Sequence, residues 1–209
     1  MCPQVIDASV KIPKQPFKIR KLEAAERQLK QAIRLLFATD DLIPVHTLAS
    51  AAHQILTDLS KEHLFAGIMR NKRLFNPRHW KTWIDKINEV SNFLKHADKD
   101  SSAEIEFKPF ITHCFLLECV WIHCVLTGDW PAESGVFAMW MATKYPDFFA
   151  DHPLKSSLKD NDKRNIDPDN YQLWHQILSE AIVQWSQRPV RTQYAAPPYQ
   201  SHQPVENLQ

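Results

Sequence analysis

Asn92 and His96 lie four residues apart in the stretch Ser91-Asn92-Phe93-Leu94-Lys95-His96-Ala97-Asp98. At that spacing two side chains share one face of a helix, so an amide and an imidazole can act on a single ligand. His96 exchanges protons near neutral pH and suits a general acid or base. Asn92 suits orienting a substrate oxygen or the imidazole ring itself. Lys95 offers a positive charge to a phosphate, and Asp98 closes the cluster. His96 and Asn92 are therefore the candidate catalytic pair, with Lys95 and Asp98 as candidate binding residues. For His96 alone a simpler role is sufficient: an imidazole at a helix end meets the last carbonyls and the negative end of the helix dipole.

Other groups can be set beside this pair. His46 and His53 are seven residues apart, which on one helix puts them on a shared face but separates them by about 10.5 Å, too far for one metal ion. They count as candidate binding residues, and a metal site formed by His46, His53 and His96 ranks lowest among the readings. Arg73 and His79 have the residue types that suit phosphodiester cleavage, one for charge and one for the proton. Asn76-Pro77 lies between them and breaks any common helical face. Arg70, Lys72, Arg73, Arg78 and Lys81, with Phe75 and Trp80 interleaved, make a local basic cluster able to face phosphates or stack bases. His113 and His123 fall on different sides of a very apolar segment and read as core histidines.

The bulk composition narrows the classes. The chain has 209 residues, 44% of them hydrophobic, with 7 Trp and 11 Phe, enough for one substantial core without disulfides or metal. Only 3 glycines occur, which disfavours a glycine-rich phosphate loop. With 25 basic and 24 acidic residues the net charge is +1, so any nucleic-acid contact has to be local. Cys114, Cys119 and Cys124 on one helix point about 140° apart in succession, which rules out a shared metal and suits reduced thiols. No secretory start and no membrane-length apolar run is evident, so the expected location is cytoplasmic.

The elements that position these residues follow from apolar periodicity. Residues 1–17, with Pro3, Pro13 and Pro16, read as a flexible leader, residues 18–187 as a single helical domain, and the Pro- and Gln-rich residues 188–209 as a disordered tail. Helices are expected from Lys18 to about Phe37, and after Asp40 or Asp41 with Pro44 in the first turn. Further helices start at Asn76-Pro77, run from Pro109 to Gly128, open at Pro131, and follow Asp167-Pro168. In the second helix Val45, Leu48, Ala52, Leu56 and Leu59 form the apolar stripe, with His46, Ser50, His53 and Thr57 beside it. The segment from Pro109 is apolar almost all round and reads as the central helix. Glu104-Ile105-Glu106-Phe107 alternates and reads as briefly extended. The expected fold is an all-α, mostly antiparallel bundle of five to six helices.

The segments Lys21–Leu29, His46–Ile55 and Asn92–Asp98 resemble those of a group of bacterial helical proteins to which no activity is assigned. More distantly, Asn92-x3-His96 is similar to the Arg-Asn-x3-His ending of HEPN domains, helical bundles that are frequently dimeric and include metal-independent ribonucleases. In that family the Arg and His are the catalytic pair, and here Ser91 stands at the Arg position. A hydroxyl lacks the fixed charge that stabilises a phosphorane-like transition state. The resemblance implies a HEPN-like RNA- or nucleotide-binding protein, with weak or lost nuclease chemistry, that needs no cofactor. The competing reading is a non-catalytic protein-interaction module. Expected partners are RNA or a nucleotide, another protein, and a second copy of the chain, with no membrane.

Overall fold

A computed structural model of the chain describes residues 16–39, 41–61, 67–72, 76–96, 98, 101–149 and 166–187. Among them the fold is an all-α bundle without strands: α1 (Lys21–Ala38), α2 (Leu42–Leu59), α3 (Pro77–Phe93), α4 (Pro109–Thr127), α5 (Ala132–Lys144) and α6 (Tyr171–Ser186), with a 3₁₀ turn at Pro146–Phe149. The leader up to residue 15 and the tail from residue 188 lie outside the described residues.

Local chemistry accounts for several helix ends. The Asp41 side chain accepts the backbone N–H of Ile43 at 2.9 Å to start α2, and Asn76 accepts that of Arg78 at 3.0 Å to start α3, with Pro77 in the first turn. α4 ends at Gly128 with φ of 68°, where a side chain would be strained, and the Gly128 N–H caps the Cys124 carbonyl at 2.8 Å. α6 starts later than Asp167-Pro168 implies. Asp167 caps a turn by accepting the N–H of Asp169, and Asn170 is the residue whose side chain caps the helix, on Leu173. The 104–107 segment carries no strand.

α1 packs on α2, α2 on α4, and α6 closes over α5 and α1. The core runs from Leu29, Ile33, Leu36 and Phe37 through Ala49, Ala52 and Leu56 to Phe115, Leu116, Ile122, Trp140 and Trp174. Phe37 meets Trp140 edge-on at 5.6 Å and stacks on Trp174 at 6.2 Å. The two buried indoles donate to the carbonyls of Pro168 (2.9 Å) and Asp167 (3.1 Å), so the 167–168 turn anchors α5 and α6 together.

α2 and α4 depart from the periodicity reading. On α2, Leu59 is exposed, whereas His46, Ser50, His53 and Thr57 are buried. α2 is wedged between α1 and α4, so more of its circumference is enclosed than a single apolar stripe covers. α4 is not enclosed all round: Phe110, Trp121 and Val125 are 43%, 49% and 40% exposed.

A buried polar spine and an exposed helix end as candidate site

The inner face of α4 places Thr112 and Glu118 toward α2, which answers with His46 and His53. Nδ1 of His46 lies 3.0 Å from Oγ1 of Thr112 and Nε2 lies 3.3 Å from Oγ of Ser91 on α3. Hydroxyls both donate and accept, so a neutral ring finds a partner for its N–H and for its lone pair in either tautomer. Phe107 and Phe115 stand edge-on to the ring at 5.8 and 5.4 Å. Burial, assisted by the positive charge of Lys95, lowers the His46 pKa from 6.5 to about 4.

His53 is held more tightly. Its Nε2 lies 2.6 Å from Oε2 of Glu118, and its Nδ1 accepts from Nε of Arg70 at 3.3 Å. A carboxylate only accepts and a guanidinium only donates, so Nε2 is the ring nitrogen that carries a proton toward Glu118. The other Glu118 oxygen accepts the backbone N–H groups of Ile68 and, at 2.8 Å, Met69. Arg70 also donates to Oδ1 of Asn88 on α3 at 2.5 Å, and the Trp83 indole donates to the Met69 carbonyl at 2.6 Å. One carboxylate thus ties α2 and α4 to the 67–70 turn, and the turn holds α3 through Asn88 and Trp83. Gly67, at φ 66°, makes the turn feasible, because a Cβ there would sit 2.6 Å from the Glu118 oxygen.

The fold gives the other candidate residues definite places. His46 and His53 line no open site: their ring nitrogens are spent on structural partners. Among the described residues, no three His, Cys, Asp or Glu side chains come together in a way that could hold a metal ion. Arg70 turns inward and leaves the basic cluster, and Lys81 pairs with Asp85 at 3.7 Å. Arg73 lies outside the described residues. His113 is buried with Nδ1 2.8 Å from the Tyr145 hydroxyl, and burial lowers its pKa to about 4, although its Nε2 has no hydrogen-bond partner. His123 is buried with neither ring nitrogen hydrogen-bonded and the Glu26 carboxylate 3.8 Å away, and burial lowers its pKa.

At the end of α3 the candidates separate from this interior. The helix stops at Phe93, but the His96 N–H still reaches the Asn92 carbonyl at 3.1 Å, so the four-residue register persists through the cap. Asn92, Lys95, His96 and Asp98 are all exposed. Ser91 is buried against His46 and faces the core, not this surface. A groove of about 380 Å³ lies elsewhere, between α1 and α6, lined by Arg34, Leu35, His175 and Leu178 among others; none of the candidate residues lines it.

Glu118, Asn88 and Thr112 were not singled out from sequence, and Arg70 was read only as part of the basic cluster. One signal was available: Glu118 is the sole Asp, Glu, Lys or Arg in α4, and a lone charge in so apolar a helix demands a partner once buried.

Comparison with protein-family models, with curated proteins and with solved structures finds no match.

Proposed function

We propose that the protein is a non-catalytic helical interaction module that engages a protein partner through the outer face of α4. The observation that carries this reading is a stripe of Phe110, Cys114, Leu117, Trp121, Cys124 and Val125. At about 100° per residue these six fall within one ~100° sector of the helix. They are exposed or half-exposed and include no charge. Contiguous exposed apolar surface marks interaction sites more often than scattered single residues do. Ile68, 69% exposed, stands beside the stripe on the turn that Glu118 holds. The interior histidines support the non-catalytic side of the reading, since each of His46 and His53 is bonded at both ring nitrogens. A photo-crosslinking residue at Leu117 should trap a protein, whereas one at Glu180 on the exposed side of α6 should not. Equal capture at both positions, or none at Leu117, would sink the proposal.

A second reading, RNA or nucleotide binding by a HEPN-like bundle without nuclease chemistry, is favoured by the joint exposure of Asn92, Lys95 and His96. Lys95→Ala and His96→Ala should then each weaken a salt-dependent affinity for single-stranded RNA, while the melting temperature stays unchanged. An affinity that neither substitution alters would remove this reading.

A further inference from the structure

We infer that the segment Phe17–Lys21, which leads into α1, docks the protein on an anionic lipid surface, with Phe17 and Ile19 entering the headgroup layer and Lys18, Arg20 and Lys21 meeting the lipid charges. This surface is separate from the outer face of α4, and neither reading depends on the other.

The segment interleaves apolar and basic residues, and every one of them is exposed. Phe17 is 58% and Ile19 46% exposed. The Arg27 guanidinium lies 5.7 Å from the centre of the Phe17 ring, which holds the segment back against the first turns of α1. α1 and α2 are each 18 residues long, pack on one another and are joined by a short connection, so the start of α1 stands beside the end of α2. There the exposed Leu59 adds a third apolar side chain to the same end of the bundle.

Charge points to the occupant. Lys18, Arg20 and Lys21 have no ion-pair partner among the described residues, whereas the acids around them are taken: Glu23 by Arg27, Glu26 by Lys30 and Asp58 by Lys61. The end of α4 reaches the same region, since His123 lies 3.8 Å from Glu26, and Asp129 beyond it is an exposed acid without an ion pair among the described residues. Three unpaired bases outweigh that one acid. Earlier in the chain Lys11 and Lys14 carry charge of the same sign, and no acid occurs between Asp7 and Glu23.

An anionic bilayer, a nucleic acid and an acidic protein all offer the matching charge, and the apolar side chains separate them. A bilayer takes basic residues at its headgroups and aromatic and aliphatic side chains just beneath, with no pocket required. Single-stranded nucleic acid stacks on aromatic rings, which Ile19 and Leu59 do not supply. A folded protein would need a pocket for each projecting side chain. The expectation of no membrane partner rested on reading no spanning segment, which surface docking does not require.

Co-sedimentation of the full chain with vesicles tests the assignment. The protein should sediment with a three-to-one mixture of phosphatidylcholine and phosphatidylserine, far less with phosphatidylcholine alone, and less again as salt is raised. Lys18→Ala, Arg20→Ala and Lys21→Ala should each weaken partitioning about fivefold, and together about a hundredfold. Phe17→Ser with Ile19→Ser should weaken it about tenfold with the charge unaltered. Lys86→Glu, on the exposed side of α3, should leave it unchanged. Helix content followed by circular dichroism identifies any variant that fails to fold.

The inference is overturned if the intact chain does not distinguish the two vesicle compositions, if the triple basic replacement or the Phe17 and Ile19 pair retains full partitioning, or if Lys86→Glu weakens it as much as Lys18→Ala. Protein that ignores vesicles but binds single-stranded RNA or polyglutamate through Lys18, Arg20 and Lys21 assigns the patch to nucleic acid or to an acidic protein, and also overturns it. The Leu117 crosslink reads a different surface, so this inference and the α4 reading fail separately.

Discussion

The two sides of α4 differ in their polar content. The enclosed side carries Thr112 and Glu118, each hydrogen-bonded to a buried histidine, among the core residues Phe115, Leu116, Cys119 and Ile122, while the side facing solvent carries Phe110, Leu117, Trp121 and Val125. Apolar burial supplies most of the interior, Ile87 of α3 included, and α3 is fastened in addition by polar groups: Ser91 to His46, Asn88 to Arg70. Polar pins are directional and fix one arrangement, whereas apolar contacts tolerate sliding. The inward polar side therefore specifies how α3 and the 67–70 turn dock. The outward side is apolar and partly exposed.

Acid gives the largest expected blow to the inner side. His46 and His113 have folded pKa values near 4 against about 6.5 unfolded, so between those values the unfolded chain binds protons that the folded chain refuses. Stability is complete above pH 6.5 and falls as pH drops toward 4, by on the order of 3 kcal/mol for each imidazole. Urea unfolding at pH 7, 5.5 and 4 reads this slope, and His46→Leu should flatten it. An unchanged midpoint across that window would show that the two rings are not held neutral by burial.

Glu118→Leu should follow, with a loss of about 3–5 kcal/mol, because it strands the His53 N–H and the amides of Ile68 and Met69. Amide exchange should rise first in α3 and the 67–70 turn, and later in α1 and α2. Uniform acceleration over the whole bundle would mean that Glu118 is no local pin. The smallest effect is expected at His96: its side chain is exposed, and His96→Ala should leave the melting temperature unchanged. A measurable loss of stability would tie His96 to the same interior network as His46 and end the contrast between the two.

Helix positions were readable in the sequence because their causes are local. Apolar spacing, Asp41 and Asn76 as caps, Pro77 and Pro109 in first turns, and Gly128 in the left-handed region act within a few residues of one another. The start of α6 was misplaced where two local signals competed, Asp167-Pro168 against Asn170, and the turn took the first. The candidate site was legible only as a motif. Asn92 and His96 keep their spacing, but whether His46 or His53 could join them depended on contacts 45 to 66 residues away in the chain.

By itself, then, the sequence determined that this chain is a bundle of helices and roughly where each begins, since helix formation and capping are short-range. Only the tertiary structure decided which sides of α2 and α4 meet water. That choice turned the α2 histidines into buried pins, sent Glu118 inward to the turn at Gly67, and left Trp121 and its neighbours outside. The reason is that a helix with apolar residues on nearly every side has no preferred face of its own, and packing against α1 and α2 selects one.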